Sequence, residues 1–250
     1  MRGYRNADMP TNSSSSVCPV LIALATFNER DNLPSLVDAI FKVLPNVHIL
    51  VVDDDSPDGT GRWCDERSAS EPRLTCHHRP GKLGLGSATI AAMREAIALD
   101  YRIIITMDAD WSRDPKKLPD LVGRLEDVDV AIGSRYCPGG LIKGWPRHRR
   151  IISRLVNMAS RRLLRLKVYD SSGAFRAYRV GALEQISFDD IRATGYAYLE
   201  EILWQLQRSG ARFTEVPITF EDRHRGQSKA DWREAISKIA TIGRLAMTRS

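Results

Sequence analysis

A chain of 250 residues with 43% apolar content is long enough for one large α/β domain or two small ones, and its composition excludes a disordered or fibrous protein. Its formal charge of +6 arises from 37 basic and 31 acidic residues, unevenly spread. Leu141–Val168 holds nine Lys/Arg and no Asp or Glu, which leaves the rest slightly acidic and makes the basicity one local stripe, suited to nucleic acid, anionic lipid or phosphorylated substrates.

Residues 1–19 carry Arg2, Arg5, Asp8 and a Ser13–Ser16 run with no apolar core, and read as a flexible leader rather than a signal peptide. No window reaches the roughly 20 apolar residues of a spanning helix, so no transmembrane domain is expected and the chain should stay cytosolic. Cys18, Cys64, Cys76 and Cys137 form no C-x-x-C pair and no metal-ligand spacing, as in a reducing compartment with free thiols. Val20–Ala25 reads as a first buried strand, followed by Thr26–Asn32 and an apolar-periodic helix to about Leu44, with Pro34 in its first turn. A second strand, Val47–Val52, ends in the acid-rich run Asp53–Gly61. A short helix near Thr60–Ser68, a weak strand near Leu74–His77 and a helix opened by Arg79–Gly86 and running to Leu99 come next. Strand Tyr101–Met107, a helix near Pro115–Leu125 and strand Val128–Gly133 complete an alternation that predicts a mostly parallel, doubly wound sheet. After Arg135 the pattern changes to a Gly/Pro-rich loop (Pro138–Pro146), a basic helix near Arg149–Leu166, a strand-like Ala174–Tyr178 and a helix Ala197–Arg208. Strand Arg212–Ile218, loop Glu221–Lys229 and a terminal amphipathic helix near Trp232–Met247 follow, with no linker that separates a second domain.

The β-branched run Ile103–Met107 ends in Asp108–Ala109–Asp110. A buried strand would deliver both acids to the carboxyl edge, where open α/β sheets bind ligands. Carboxylates so spaced can hold a hard divalent cation, which in turn holds substrate phosphates; a solvated turn ahead of Asp114–Pro115 is the plainer reading. Asp54, Ser56, Asp58, Gly59 and Asp65 mimic a calcium loop, but the preceding β-run, the closing Asp in place of Glu, and Pro57 argue against one. Acids at that strand end can instead accept hydrogen bonds from a base or ribose. Gly81–Gly86 is not a Walker loop, because Cys76 and Leu83 stand where Gly and Ser/Thr are needed, and Thr89 replaces the third glycine of a dinucleotide fingerprint. It remains either a helix start that approaches a phosphate or an ordinary turn. Arg147, Arg150, Arg154, Arg161 and Arg165 recur at helical spacing, roughly opposite an apolar stripe of Ile152, Val156, Ala159, Leu163 and Leu166. Such a helix suits an anionic membrane surface, or is simply the charged back of a core-packing helix. The terminal helix aligns Trp232, Ile236, Ile239, Gly243 and Ala246 as a core stripe, and the five histidines fall at no metal-ligand spacing. Arg223–Lys229 is a basic loop fit for a phosphate or diphosphate, without the interleaved aromatics of a nucleic-acid binder.

Taken together, Thr26–Phe27–Asn28–Glu29, Val52–Thr60, Arg79–Gly86, Met107–Asp108–Ala109–Asp110, Ile132–Gly133–Ser134–Arg135–Tyr136 and Gly226–Gln227–Ser228–Lys229 resemble, in order, the motifs of the polyprenol (dolichol) phosphate mannosyltransferases of glycosyltransferase family 2. The resemblance runs from about Val20 to Lys229. It implies a GT-A fold, a Rossmann-like and mostly parallel sheet flanked by helices, with a nucleotide-binding half over 20–135 and an acceptor half over 136–230. It implies inverting transfer of mannose from GDP-mannose to a polyprenyl phosphate with a divalent metal, Mg2+ or Mn2+. By position, Phe27, Glu29, Val52 and Asp54 would hold the guanosine, with Ala25 where the family usually has Pro. Asp108 and Asp110, flanking Ala109, would hold metal and diphosphate, and Ser112 falls where some members place a metal-contacting Gln. Arg135, Arg223 and Lys229 would meet phosphates, making Asp108, Asp110 and Arg135 the expected catalytic set. The acceptor phosphate is already an anion near neutral pH, so no general base is required, and Arg149, Arg150 and His148 are expected to position it for in-line attack.

A lipid acceptor and a chain without a spanning segment place the expected protein at the cytoplasmic face of a membrane, with the basic helix on its anionic surface. Related members recruit separate membrane subunits or carry their own transmembrane domain, so such a subunit is a candidate partner; nucleic acid is not. Two alternatives stand beside this reading: a polyprenyl phosphate glucosyltransferase using UDP-glucose, and a non-catalytic module that binds a nucleotide sugar or anionic lipid. The paired acids argue against the second.

Overall fold

A computed structural model describes residues 20–193, 195–221 and 232–248, of which residues 232–237 are described by backbone alone. Strands β1 (Val20–Thr26), β2 (His48–Asp53), β3 (Leu74–His78), β4 (Ile103–Asp108), β5 (Val130–Ser134), β7 (Arg176–Arg179) and β8 (Phe213–Pro217) form one sheet in the order β3-β2-β1-β4-β7-β5-β8. Among the described strands of this sheet only β7 is antiparallel, to its neighbours β4 and β5. The sheet runs unbroken across the 135/136 boundary between the two halves, since β5 pairs with both β7 and β8.

The apolar runs form buried strands because both faces of the sheet are covered, so successive side chains enter different cores. Leu21 and Ala23 face a cluster with Leu50, Val52 and Ile104, while Ile22 and Leu24 face another with Val51, Ile105 and Met107. The first cluster is closed by α3 (Leu85–Ala98), α7 (Tyr198–Arg208) and α8 (Trp232–Met247); the second by α1 (Leu33–Val43), α2 (Thr60–Ser68) and α4 (Leu118–Arg124). Chain order reverses at the centre of the sheet: β2 and β3 extend from one side of β1, and β4 lies on the other. That switch point opens a crevice beyond the carboxyl ends of β1 and β4.

Three features depart from the sequence reading. The loop over 138–146 contains β6 (Leu141–Lys143), which pairs in parallel with β9 (Thr219–Glu221); strands of three residues are too short to show a periodicity. The basic helix α5 spans Arg147–Leu163, and only part of the expected apolar stripe turns inward: Val156 and, beyond the helix end, Leu166 are buried and Ala159 packs against the core, beside the buried polar Asn157 and Ser160. Ile152 and Leu163 are 40% and 52% exposed, and so are Ile151 (56%), Leu155 (52%) and Met158 (41%). The reason is polar: Asn157 Oδ1 accepts from the Ser171 amide and hydroxyl at 2.7 and 3.0 Å, so the helix turns this face inward to hold the loop after it. Helix α8 is likewise rotated, burying Ile242 and Leu245 and leaving Ile239 55% exposed. Lys238 and Arg244 on its inward side meet the buried Glu200 and Glu201 of α7 at 3.2 and 2.8 Å. Among the described residues no helix is long and apolar enough to cross a membrane.

Candidate active site

Strand β4 ends at Asp108, in register with Ala25 of β1. Three residues on, Trp111 adopts φ +60°, a left-handed conformation uncommon for a bulky side chain, and its indole N–H is held by Ser35 Oγ at 3.1 Å and the Asn32 carbonyl at 3.3 Å. The turn folds Asp110 back so that its Oδ1 accepts the Ser112 amide at 3.0 Å. Asp110 and Ser112 are buried, whereas the Asp108 side chain keeps 19% of its surface open. Ser112 Oγ is buried without a hydrogen-bond partner among the described residues. Such a buried hydroxyl, two residues from one carboxylate and four from another, makes with them an oxygen donor set of the kind that fits a hard divalent cation.

Cations line the opposite side. Buried Arg113 brings Nη2 to 4.0 Å from Asp108 Oδ2 and lies 4.3 Å from the Phe220 ring centre. Burial, with a smaller push from Arg135, lowers its pKa from the ordinary arginine value although Asp108 and Asp110 pull the other way. Arg135 follows β5 and is clamped by Asp170, whose oxygens accept from its Nε and Nη2 at 2.7 Å each and from its amide at 3.0 Å. Ser172 Oγ takes a further bond from Nη2 at 2.7 Å. Burial pushes the Asp170 carboxyl up, but the charge and hydrogen bonds of Arg135 outweigh it and hold the group well below the usual carboxylate range. Trp145 and Phe220 meet edge to face at 5.0 Å, and this pair touches Arg135 and also Arg149, which stacks 4.0 Å over Trp145. Three arginines from three segments thus converge on one aromatic pair. Arg150 is half-buried in the first turn of α5 and His148 is exposed there.

The loops after β1 and β2 are stitched together. Asp53 accepts from the Thr26 hydroxyl at 2.7 Å and the Ser56 hydroxyl at 2.6 Å; Asp58 accepts from the Thr60 amide at 2.9 Å and the Arg30 amide at 3.0 Å. Burial raises Asp58, yet these bonds prevail and its pKa is lowered. The acids that imitate a calcium loop therefore have separate duties. Asp54 is buried, with Oδ1 2.8 Å from Arg79 and Oδ2 accepting the Gly84 amide at 2.8 Å, so it braces the start of α3 from the end of β2. A Cβ on Gly86 would meet the Tyr198 ring at 2.9 Å, which gives that glycine a packing role against α7. Phe27 lies under Lys82, its ring centre 3.9 Å from the ammonium. Phe27, Glu29 and Ala25 are partly exposed on the crevice side of β1, and Val52 is buried beside Ala25 in register.

The fold thus brings Asp108, Ala109, Asp110, Ser112, Ala25, Phe27, Glu29, Val52 and Asp54 to adjoining strand ends, and Arg135 and Arg149 to the cationic wall. Arg223 and Lys229 lie outside the described residues. The strand before them ends at Glu221, whose amide donates to the Ser112 carbonyl at 3.4 Å. Sequence reasoning passed over Arg113, Trp145, Asp170 and Phe220. Arg113 directly follows the acid turn and was legible as a cation at a strand end; the others gain their meaning only from contacts distant in sequence.

Several comparisons bear on this arrangement. The chain is 40% identical over 228 residues to the polyprenol monophosphomannose synthase of Mycolicibacterium smegmatis, covering 89% of this chain and 86% of that one. It is 40% identical over 210 residues to the undecaprenyl-phosphate mannosyltransferase of Micrococcus luteus, covering 84% and 86%. Among solved structures it shares its fold with glucosyl-3-phosphoglycerate synthase from Mycobacterium tuberculosis in complex with Mn2+, UDP and glucosyl-3-phosphoglycerate (TM-score 0.66, 22% identity, 91% of this chain and 80% of that one). A mannosyltransferase from Pyrobaculum calidifontis in complex with GDP-Man and Mn2+ also matches (TM-score 0.63, 18% identity, 93% and 65%). The GT-A expectation holds, and residues 21–187 match the profile of glycosyl transferase family 2, so the chain belongs to that family.

Proposed function

We propose that this protein is an inverting, metal-dependent transferase that moves mannose from GDP-mannose to a polyprenyl phosphate. The names of the two relatives, each aligned over most of the chain, point to this donor sugar and acceptor class. One observation carries the chemistry: Arg113 lies 4.0 Å from Asp108 of the oxygen set Asp108, Asp110 and Ser112, and shares the Trp145 and Phe220 aromatic pair with Arg135 and Arg149. A bound Mg2+ or Mn2+ would supply neutralisation of the charge that develops on the departing diphosphate. Arg113 adds a fixed positive charge beside the same oxygens, in a buried setting where it acts more strongly than in water. Arg149, with Arg150 and His148, orients the acceptor phosphate, whose own negative charge makes it the nucleophile. By the family resemblance, Arg223 and Lys229 contribute further positive charge to the diphosphate.

The test is radiolabelled GDP-mannose against UDP-glucose with a polyprenyl phosphate, with and without EDTA. Label should reach lipid from GDP-mannose only, and EDTA should abolish it. Lipid-linked label from UDP-glucose alone overturns the donor assignment, and neither transfer nor donor hydrolysis makes the protein a binding module.

The acceptor end of the reading places the protein on the cytoplasmic face of a membrane. Free thiols at Cys64, Cys76 and Cys137 fit a reducing compartment. The outward ridge Ile151, Leu155 and Met158 on α5 is flanked by Arg147, Arg154 and Arg161, the composition of an interfacial helix that meets anionic lipid; a separate membrane subunit is the alternative occupant of the same ridge. Flotation with anionic vesicles should lose at least about tenfold in binding when the three apolar residues become Gln, since each removes roughly 1.5 kcal/mol or more of buried apolar surface. Unchanged flotation removes the membrane from this helix.

A further inference from the structure

The sequence offers no metal-ligand spacing among its cysteines and histidines, yet the fold builds one cluster of unlike donors away from the acid pair. Helix α2 faces the edge strand β3, and a carboxylate oxygen of Asp65, the Cys76 sulfur and a ring nitrogen of His78 lie within 4.8 Å of one another. Asp65 Oδ1 and His78 Nε2 are already 2.8 Å apart, and the Cys76 thiol is in hydrogen-bond contact with that of buried Cys64. The imidazole packs against α2 at Gly61, where a Cβ would meet its Cε1 at 3.0 Å and its Nδ1 at 3.1 Å. Gly61 is what lets the ring sit there.

We propose that Asp65, Cys76 and His78 form a zinc site that ties α2 to the exposed edge of the sheet. One thiolate, one imidazole and one carboxylate are a borderline-soft donor set that suits Zn2+ and does not suit Mg2+ or Ca2+. With Zn–N and Zn–O near 2.0 Å and Zn–S near 2.3 Å, tetrahedral donors lie about 3.3–3.8 Å apart, so a rotamer adjustment of about 1 Å closes the set. Asp65 and His78 are exposed, which leaves the fourth position to water. Binding releases the Cys76 thiol proton to solvent. The site braces the nucleotide side of the crevice, because His78 pairs in register with Asp53 and is followed by Arg79, which holds Asp54 at 2.8 Å.

Full-length protein carrying Asp108→Asn and Asp110→Asn, to remove the other candidate cation site, is loaded with Zn2+ and, separately, with Co2+. One equivalent of zinc should survive dialysis, Tm should rise with zinc, and Co2+ should give a sulfur-to-metal charge-transfer band in the near ultraviolet. Cys76→Ser should abolish the band, and His78→Asn, a substitution at an exposed side chain, should weaken zinc binding more than about tenfold. No charge-transfer band in the parent protein overturns the site, as does zinc stoichiometry that persists unchanged in both variants, or oxidation of Cys64 and Cys76 to a disulfide in place of metal uptake.

Discussion

Changing Asp108 to Asn should lower mannosyl transfer by about 10³-fold while leaving the unfolding midpoint nearly unchanged; removal of one preorganised charge contact at a reacting group costs about 2.7–4 kcal/mol of transition-state stabilisation. The asymmetry follows from position. Asp108 is the most open of the three oxygen donors, with 19% of its side chain exposed, so solvent can compensate a substitution there better than at the buried pair. Asp110 is different: it is buried and accepts the Ser112 amide, so Asp110→Asn should reduce both activity and stability. Ser112→Ala should separate the roles further, because a buried hydroxyl without a partner among the described residues loses nothing on deletion unless a cation uses it. Kinetics against a Mn2+ titration, alongside urea unfolding, checks all three. An Asp108→Asn protein with more than a tenth of the parent rate and the same metal requirement would remove this acid from the reaction.

Much of this site was legible before any coordinates because its elements are local. A β-branched run that stops at Asp108 needs only strand burial and the carboxyl-edge rule to be read, and the same holds for Val47–Val52 ahead of Asp53 and Asp54. What stayed hidden depends on contacts between distant segments. Asp170 lies in an unremarkable polar loop, and only the arrangement of β5 and α5 makes it the partner of Arg135. Trp145 and Phe220 are 75 positions apart and meet because β6 and β9 pair. The apolar stripe of α5 turned inward only in part for a related reason: helical periodicity identifies a stripe, but Asn157, bound to Ser171 in the Asp170 loop, sets which face of the helix lies against that loop. Gly86 illustrates a motif whose residue is required and whose suggested purpose was one of two; its constraint is the Tyr198 ring.

The largest stability effect is expected at Asp170. Asp170→Ala should cost about 3–5 kcal/mol, since it strands a buried guanidinium whose charge was compensated by that carboxylate. Both partners are inaccessible, with side-chain exposures of 5% for Arg135 and 0% for Asp170, so water cannot take over the lost bonds. The pH dependence has a definite sign. Asp170 is held well below the usual carboxylate range in the folded protein, so its contribution is complete above the unfolded value of about 3.9 and is lost as pH falls from there toward the depressed folded value. Parent protein should therefore lose stability through this acid range, and the variant should show a flatter profile there. Arg135→Met with Asp170→Leu tests whether the pair stabilises or positions. A buried pair replaced by apolar groups of similar volume is often neutral, so the double variant should recover most of the stability lost by Asp170→Ala. It should recover none of the transfer activity, because Arg135 would then be absent from the aromatic wall beside Arg149. A double variant that regains both stability and turnover would make the ion pair scaffolding alone, and would leave Arg113 and Arg149 as the cations that face the phosphates.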